Sequence, residues 1–152
     1  MEHYTALSPY LKNRFGCKVY KLSLSASCTC PNRDGRAGTR GCIFCSGSGE
    51  FAASGAASIP EQLEQATYIL GKKAQNAKFI AYFQDFTNTY GAVSRLEPLF
   101  SAAIEPSDVV ALSIATRPDC LPEEILAMLS RLRAKKPLFV ELGLQTMHEE
   151  TA

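Results

Sequence analysis

The segment DVVALSIATRPDCLPEEILAMLSRLRAKKPLFVELGL, residues 108–144, holds two apolar runs on either side of one amphipathic stretch. The runs DVVALSI (108–114) and PLFVELGL (137–144) are nearly continuous in Val, Ile, Leu and Phe, which is typical of strands covered on both faces. Pro122 and the two glutamates after it predict the start of a helix between the two apolar runs. The apolar positions of that helix are Ile125, Leu129 and Leu132. Two strands joined by a helix predict parallel neighbours in one sheet.

The same alternation extends upstream of this segment. KVYKLSL (18–24) and KFIAYF (78–83) have the length and composition of strands. Ser58 and Glu61 form a capping box that predicts a helix, and a second helix is predicted from Ser94. The positions expected to face inward are Leu63, Ala66, Ile69 and Leu70 in the first of these helices and Leu96, Leu99, Phe100 and Ala103 in the second. The order predicts an α/β fold with a parallel sheet of four strands, either doubly wound or barrel-like.

Length and composition are those of a soluble globular domain. The chain has 152 residues, of which 46% are hydrophobic and 20% charged, and its formal net charge is +1. We find no apolar run of the roughly 18 residues that a membrane span needs, and no secretory signal before the first strand. We therefore expect a cytoplasmic protein with no membrane association, in which clustered thiols point to a metal or to catalysis before disulfides.

The end of the sequence predicts an incomplete domain. The residues MHEETA (147–152) come soon after the last predicted strand, and they predict no helix that would cover the sheet. Because a bare hydrophobic edge is an aggregation hazard, we interpret residues 1–152 as the N-terminal portion of a longer domain.

Polar residues follow each predicted strand. The first strand leads into a segment with four cysteines, the second into residues 84–89, and the third into residues 116–119. The fourth ends close to Gln145 and contains Glu141. Because the carboxyl ends of parallel strands meet at one edge of a sheet, and ligands bind there in α/β folds, these residues predict a functional site.

CTCPNRDGRAGTRGCIFC, residues 28–45, is called the cysteine loop here. Cys30, Cys42 and Cys45 have the spacing C-x11-C-x2-C, and Cys28 precedes the first of them by two positions. A structural zinc would take all four thiolates, whereas an iron–sulfur cluster could take three and leave one iron without a protein ligand. The spacing alone leaves both metals open. A zinc site would favour a nucleic-acid-binding module without catalysis, which is the alternative to an enzyme.

The residues around these cysteines resemble a known family. CPNRDG (30–35) and GCIFC (41–45) are similar to the radical S-adenosylmethionine (SAM) proteins of the YhcC type, relatives of the Elongator catalytic subunit. The resemblance continues in order through YFQDFTNTY (82–90), SIATRPDCLP (113–122) and VELGLQTMHEET (140–151), so it covers nearly the whole chain.

This resemblance implies a fold, a cofactor and a reaction. The fold would be a partial (β/α)6 barrel, truncated after about four strands. Cys30, Cys42 and Cys45 would bind a 4Fe-4S cluster, and the amino and carboxylate groups of SAM would chelate its open iron. A flavodoxin- or ferredoxin-like donor would supply the electron that cleaves SAM to methionine and a 5′-deoxyadenosyl radical, which abstracts hydrogen from the substrate. The relatives of Elongator favour tRNA modification as the purpose of this reaction.

The resemblance also implies contacts to SAM, although residues 83–87 have no Gly-Gly-Glu element where the superfamily usually has one. The expected contact residues are Phe44 at the adenine, Gln84 or Thr87 at the amino group, Arg117 at the carboxylate, and Glu141 and Gln145 at the ribose. Structural roles compete at two of these positions: Arg117 could cap a helix through Asp119, and Glu141 could form a buried ion pair. Cys28 lies outside the three-ligand pattern and is interpreted as a bystander.

Overall fold

The computed structural model describes residues 4–43, 45, 57–143, 147–148 and 150. Four α-helices lie within these residues: α1 (Leu7–Phe15), α2 (Ile59–Leu70), α3 (Val93–Ile104) and α4 (Glu123–Lys135). Four strands alternate with them: β1 (Val19–Leu24), β2 (Lys78–Phe83), β3 (Val109–Thr116) and β4 (Leu138–Leu142). Short 3-10 helices cover Gly71–Ala74 and Pro118–Cys120. None of the helices in the described part of the chain is long and apolar enough to span a bilayer.

The four strands form one parallel sheet, as the sequence predicts. Their order in the sheet is β1-β2-β3-β4, which is also their order in the chain. Consecutive parallel strands need a crossover connection, and α2, α3 and α4 supply the three crossovers. The predicted α/β fold with four parallel strands is therefore confirmed. All four strands point their carboxyl ends towards the same edge of the sheet.

Three helices cover one face of this sheet. The buried side chains of the covered face include Leu22, Phe83 and Ile114 from the strands, and they join the apolar sides of α2, α3 and α4 in one core. At its centre the rings of Phe83 and Phe100 meet edge to face, with centroids 4.9 Å apart. The predicted inward positions of α3 and α4 are confirmed, since Leu96, Phe100, Ala103, Ile125, Leu129 and Leu132 are all buried.

Helix α1 lies on the opposite face of the sheet, and the sequence analysis did not predict it. Its single fully buried residue, Leu11, packs with Ile80 and Ala111 at the amino-terminal half of the strands. It begins without a side-chain cap at Ala6 and ends at Gly16, whose φ of 72° only a residue without Cβ adopts at little cost. One buried position in nine residues leaves too weak a periodic pattern to recognise.

Helix α2 begins as predicted, and three of its four predicted inward positions face the core, since Leu63 is buried and Ala66 and Leu70 pack against the core. The Ser58 N–H donates to Glu61 Oε2 at 2.7 Å, so the capping box is confirmed. Ile69, expected to face inward, is 82% exposed, whereas Gln62 is 1% exposed. A buried amide is tolerated here because its Oε1 accepts from the Ser25 N–H at 2.7 Å and its Nε2 donates to the Ser25 carbonyl at 3.2 Å.

Strand boundaries agree closely with the sequence. β2 has the predicted limits, and β1 begins one residue later than the predicted stretch 18–24. β3 runs two residues beyond Ile114, so it carries Thr116 to the sheet edge. β4 is shorter than the predicted run 137–144, and Leu144 lies outside the described residues.

The central aromatic pair gives a test of the core. Phe100→Ala should lower the free energy of unfolding by about 3–5 kcal/mol, because it leaves a cavity in a fully buried site and removes the edge-to-face contact with Phe83. The matched control is Tyr68→Ala, since Tyr68 is a helical aromatic that is 85% exposed, and its change should stay within about 0.5 kcal/mol. Urea unfolding measures both, and equal losses would contradict the described core.

Candidate functional site

A cavity lies at the carboxyl edge of the sheet. It is lined by the cysteine loop, by the residues that follow β2 and β3, and by β4. Its volume is about 640 Å³, within the range of small-molecule sites. The lining side chains from the predicted set are Cys30, Cys42, Cys45, Gln84, Thr87, Arg117 and Glu141. The predicted contacts Phe44 and Gln145 lie outside the described residues. The structure thus gathers at one cavity every described residue that the sequence analysis proposed for the site.

Backbone hydrogen bonds, without helix or strand, shape the described part of the cysteine loop. The Arg33 N–H donates to the Cys30 carbonyl and the Gly41 N–H to the Asn32 carbonyl, both at 2.8 Å. Gly41 has a φ of 72°, and a Cβ there would lie 2.9 Å from the Arg33 guanidinium carbon. The positive φ therefore favours glycine at this position, directly before Cys42, and a larger residue would also displace the Arg33 side chain. The Cys45 N–H then donates to the Cys42 carbonyl at 3.0 Å, which closes a turn between these two cysteines.

Cys28 lies apart from the other three cysteines of the loop. It is 9% exposed and packs in the core beneath α2–α4. Its Sγ accepts from Arg95 Nη2 at 3.0 Å, and Arg95 Nη1 donates to the Ala26 carbonyl at 2.7 Å. Burial raises the pKa of the Cys28 thiol, and Arg95 opposes that rise only in part. The described lining of the cavity contains Cys30, Cys42 and Cys45 but not Cys28.

The cysteines of the cavity are free thiols and do not form a single-ion site. Within residues 4–43, 45, 57–143, 147–148 and 150, no three His, Cys, Asp or Glu side chains lie close enough together to bind one metal ion. A tetrahedral zinc with Zn–S bonds of about 2.3 Å would bring its sulfurs to within about 4 Å of each other. A cubane cluster makes a different demand, because it binds each thiolate through a different iron and so holds the sulfurs farther apart.

Asp85 is a candidate that the sequence analysis missed. Asp85 lines the cavity, and its Oδ2 is the one buried side-chain oxygen or nitrogen among the described residues that has no hydrogen-bond partner. Burial raises the pKa of this carboxyl. The next residue, Phe86, has a φ of 61°, an uncommon conformation for a side chain of this size. The sequence signal that could have identified Asp85 is a carboxylate just past the end of a buried strand.

Asn88 fixes the loop that contains Asp85. Its side-chain amide donates to the Phe83 and Ala115 carbonyls, each at 3.0 Å, and so joins the ends of β2 and β3. Thr87 is 1% exposed, and its N–H donates to the Thr29 carbonyl at 3.3 Å. These contacts hold the β2 loop against the cysteine loop.

Glu141, predicted to contact a ribose, is held by three donors on the sheet face opposite α2–α4, which is called the open face here. Its carboxylate accepts from Lys21 Nζ and Ser113 Oγ at 2.6 Å each, and from the Tyr82 hydroxyl at 3.1 Å. Burial alone raises the pKa of the Glu141 carboxyl, but the bonds from Lys21 and Ser113 outweigh it, and the pKa is lowered. Burial and the neighbouring Glu141 charge raise the pKa of Tyr82 to about 12. The ion pair that the sequence allowed for is present, although it is partly exposed.

Arg117 pairs with Asp119, as the structural alternative proposed. Its Nε and Nη2 donate to the two Asp119 carboxylate oxygens at 2.8 Å each, and the pKa of Arg117 is raised chiefly by this pair. Its Nη1 donates to Asn32 Oδ1 at 2.7 Å. Asn32 Nδ2 in turn donates to Cys42 Sγ at 3.2 Å. The hydrogen bonds of Arg117 and Asn32 therefore connect the end of β3 to the cysteine loop.

The chain is similar to three proteins of known sequence. It is 44% identical over 153 aligned positions to the uncharacterized protein YtqA of Bacillus subtilis, and the alignment covers 99% of this chain and 48% of YtqA. It is 38% identical over 144 positions to protein YhcC of Escherichia coli, and that alignment covers 93% of this chain and 45% of YhcC. It is 31% identical over 147 positions to the uncharacterized protein MJ0486 of Methanocaldococcus jannaschii, with 93% of this chain and 44% of MJ0486 covered.

The chain spans about half the length of the curated relatives it matches. No family model matches the chain. No solved structure matches it either. The names of these relatives state no activity, so the radical SAM assignment stays a prediction.

Proposed function

We propose that this chain forms the cofactor-binding part of a radical SAM enzyme, with Cys30, Cys42 and Cys45 as the ligands of a 4Fe-4S cluster. The observation that supports this most strongly is the separation of the four loop cysteines. Three line one cavity at the carboxyl edge of the sheet, and the fourth, Cys28, is turned into the core against Arg95. Three ligands are what the reaction needs, because a fully ligated cluster has no iron left for SAM.

The same separation weighs against a structural zinc bound by four thiolates. Such a site would require Cys28 Sγ to leave Arg95 and the core and to converge with three sulfurs across the loop. The cavity also has more room than a closed single-ion site would use.

The sheet fits the first part of a (β/α)6 barrel. Its strands run in chain order with α2, α3 and α4 on one face, which is how the strands and helices of a barrel are wound. A doubly wound sheet instead reverses its strand order and places crossover helices on both faces. Here α1 is on the other face, but it precedes β1 and connects no two strands. The open face, with Lys21 and Glu141, would become part of the barrel interior. Further strands would have to come from residues beyond this chain.

A 4Fe-4S cluster supplies, when bound and reduced by a flavodoxin- or ferredoxin-like protein, the electron that breaks the C5′–S bond of SAM. The cysteine loop would hold the cluster, and the cavity would enclose the reacting groups and exclude water. Asp85 joins Gln84 and Thr87 as a proposed partner of the SAM amino group, because its unpartnered Oδ2 is an acceptor for the N–H groups of an amine that also binds iron. The assignments of tRNA as substrate and of the cytoplasm as location rest on the family resemblance and the composition.

The cysteine assignment is tested by anaerobic reconstitution with iron and sulfide. Cys42→Ala should abolish iron loading, because it removes a cluster ligand. Cys28→Ala should leave loading intact, because it removes only a buried sulfur that contacts Arg95. Iron and sulfide analysis, with the brown colour and its bleaching by dithionite, measures the result. Equal losses in the two variants, or a colourless protein that retains one zinc, would rule out the three-ligand cluster.

The role of Asp85 is tested by SAM binding to the cluster-loaded protein. Asp85→Asn should raise the Kd for SAM about tenfold or more, because a hydrogen bond to a charged group contributes about 1.5–3 kcal/mol. The matched control is Asp34→Asn, which neutralises an exposed carboxylate of the cysteine loop that is outside the cavity lining. Equilibrium dialysis measures both. An unchanged Kd for Asp85→Asn would remove Asp85 from the site and leave the cluster assignment standing.

A further inference from the structure

Asn32 is placed between two groups that fix the direction of its side-chain amide. Arg117 Nη1 lies 2.7 Å from Asn32 Oδ1, and a guanidinium can only donate. The oxygen of the amide must therefore face Arg117, and the nitrogen must face the other neighbour. That neighbour is Cys42 Sγ, 3.2 Å from Nδ2. Arg117 thus settles the usual ambiguity of an amide group, and Asn32 donates an N–H to the sulfur.

Both ends of this contact are held in place. Asp119 accepts from two nitrogens of Arg117 at 2.8 Å each, so the guanidinium plane has one orientation at the end of β3. The backbone of Asn32 is held as well, since its carbonyl accepts from the Gly41 N–H at 2.8 Å. The donor is therefore positioned before any ligand binds, and it meets one particular sulfur.

We infer that Asn32 tunes the reduction potential of the cluster through its hydrogen bond to Cys42, and that Arg117 is a positioning residue that acts through Asn32. The inference rests on the proposed function, since it takes Cys42 as a cluster ligand. An N–H donor at a cysteine sulfur withdraws electron density from the iron–sulfur bond. It therefore favours the reduced cluster, which has the greater negative charge, and raises the potential.

The first test compares three substitutions in the reconstituted chain under anaerobic redox titration. Asn32→Leu removes the donor without adding charge, and its midpoint potential should fall below that of the unsubstituted chain. Asn32→Asp should lower the potential further, because a carboxylate replaces the donor beside the sulfur. Asn13→Asp is the matched control, since it makes the same chemical change at an exposed position of α1, and its potential should stay unchanged.

The second test examines the positioning role, and it needs a spectroscopic readout beside the potential because Arg117 also interacts with Cys30. Arg117→Lys keeps the positive charge but loses the fork that binds Asp119 and Asn32 together, so the potential should fall part of the way. Resonance Raman spectra in H₂O and D₂O give an independent signature, because deuteration of an N–H bonded to sulfur shifts the iron–sulfur stretching bands. That shift should be present in the unsubstituted chain and smaller in Arg117→Lys and Asn32→Leu.

Each outcome separates this inference from the proposed function. If the unsubstituted chain binds no iron, the proposed function fails and the inference fails with it. If the chain loads a cluster but Asn32→Leu keeps the potential and the deuterium shift, only the inference is overturned. A change in Asn32→Asp alone would mean that charge, and not the hydrogen bond, sets the potential. Should Asn32→Leu fail to load iron, an unchanged potential in Arg117→Lys would still overturn the positioning role.

Discussion

Three side chains from successive elements of the fold hold the segment that leads into and through the cysteine loop. Gln62 of α2 binds the backbone of Ser25, and Arg95 of α3 binds the carbonyl of Ala26 and the sulfur of Cys28. Arg117, after β3, binds Asn32. Each anchor comes from the next unit along the sheet and engages the next part of the segment. The position of the cysteines therefore depends on the sheet and its helices being complete, since the described part of the loop has no regular structure of its own.

These anchors order the loop only in part, and this has a consequence for the cofactor. A neutral hydrogen bond contributes about 0.5–1.5 kcal/mol and a charged one about 1.5–3 kcal/mol, whereas fixing the backbone of one residue costs about 1–2 kcal/mol. The anchors therefore hold Ser25, Ala26 and Asn32, whereas the described residues 33–43 are held by backbone hydrogen bonds of the loop itself. A bound cluster with three ligands would add ties to that second part, as metal sites commonly do in small domains. The three cavity sulfurs do not converge on one point among the described residues, which agrees with a loop that the three anchors fix only in part.

The sequence predicts the strands well because burial on both faces leaves a dense apolar signal, and β2 has the predicted limits. It fails where a single contact decides the outcome. Helix α1 has one fully buried residue, and in α2 the buried Gln62 was not predicted while Ile69, predicted to face inward, is exposed. The cavity residues were predictable as a group, because parallel strands bring their carboxyl ends together. Their pairing was not, since Arg117 and Asn32 are 85 positions apart in the chain.

Charge around the cavity explains why polar residues with similar sequence signals have different roles. Glu141 is satisfied by Lys21, Ser113 and the Tyr82 hydroxyl, so it is suited to holding the open face of the sheet together. Asp85 has an unpartnered buried oxygen, and a buried carboxylate in that state is costly until a cation meets it. SAM, itself a sulfonium cation, presents N–H donors in its amino group. Asp85, just after β2, and Glu141, in β4, both line the cavity. Only Asp85 of these two has an acceptor without a partner, so it is the one that a ligand can stabilise.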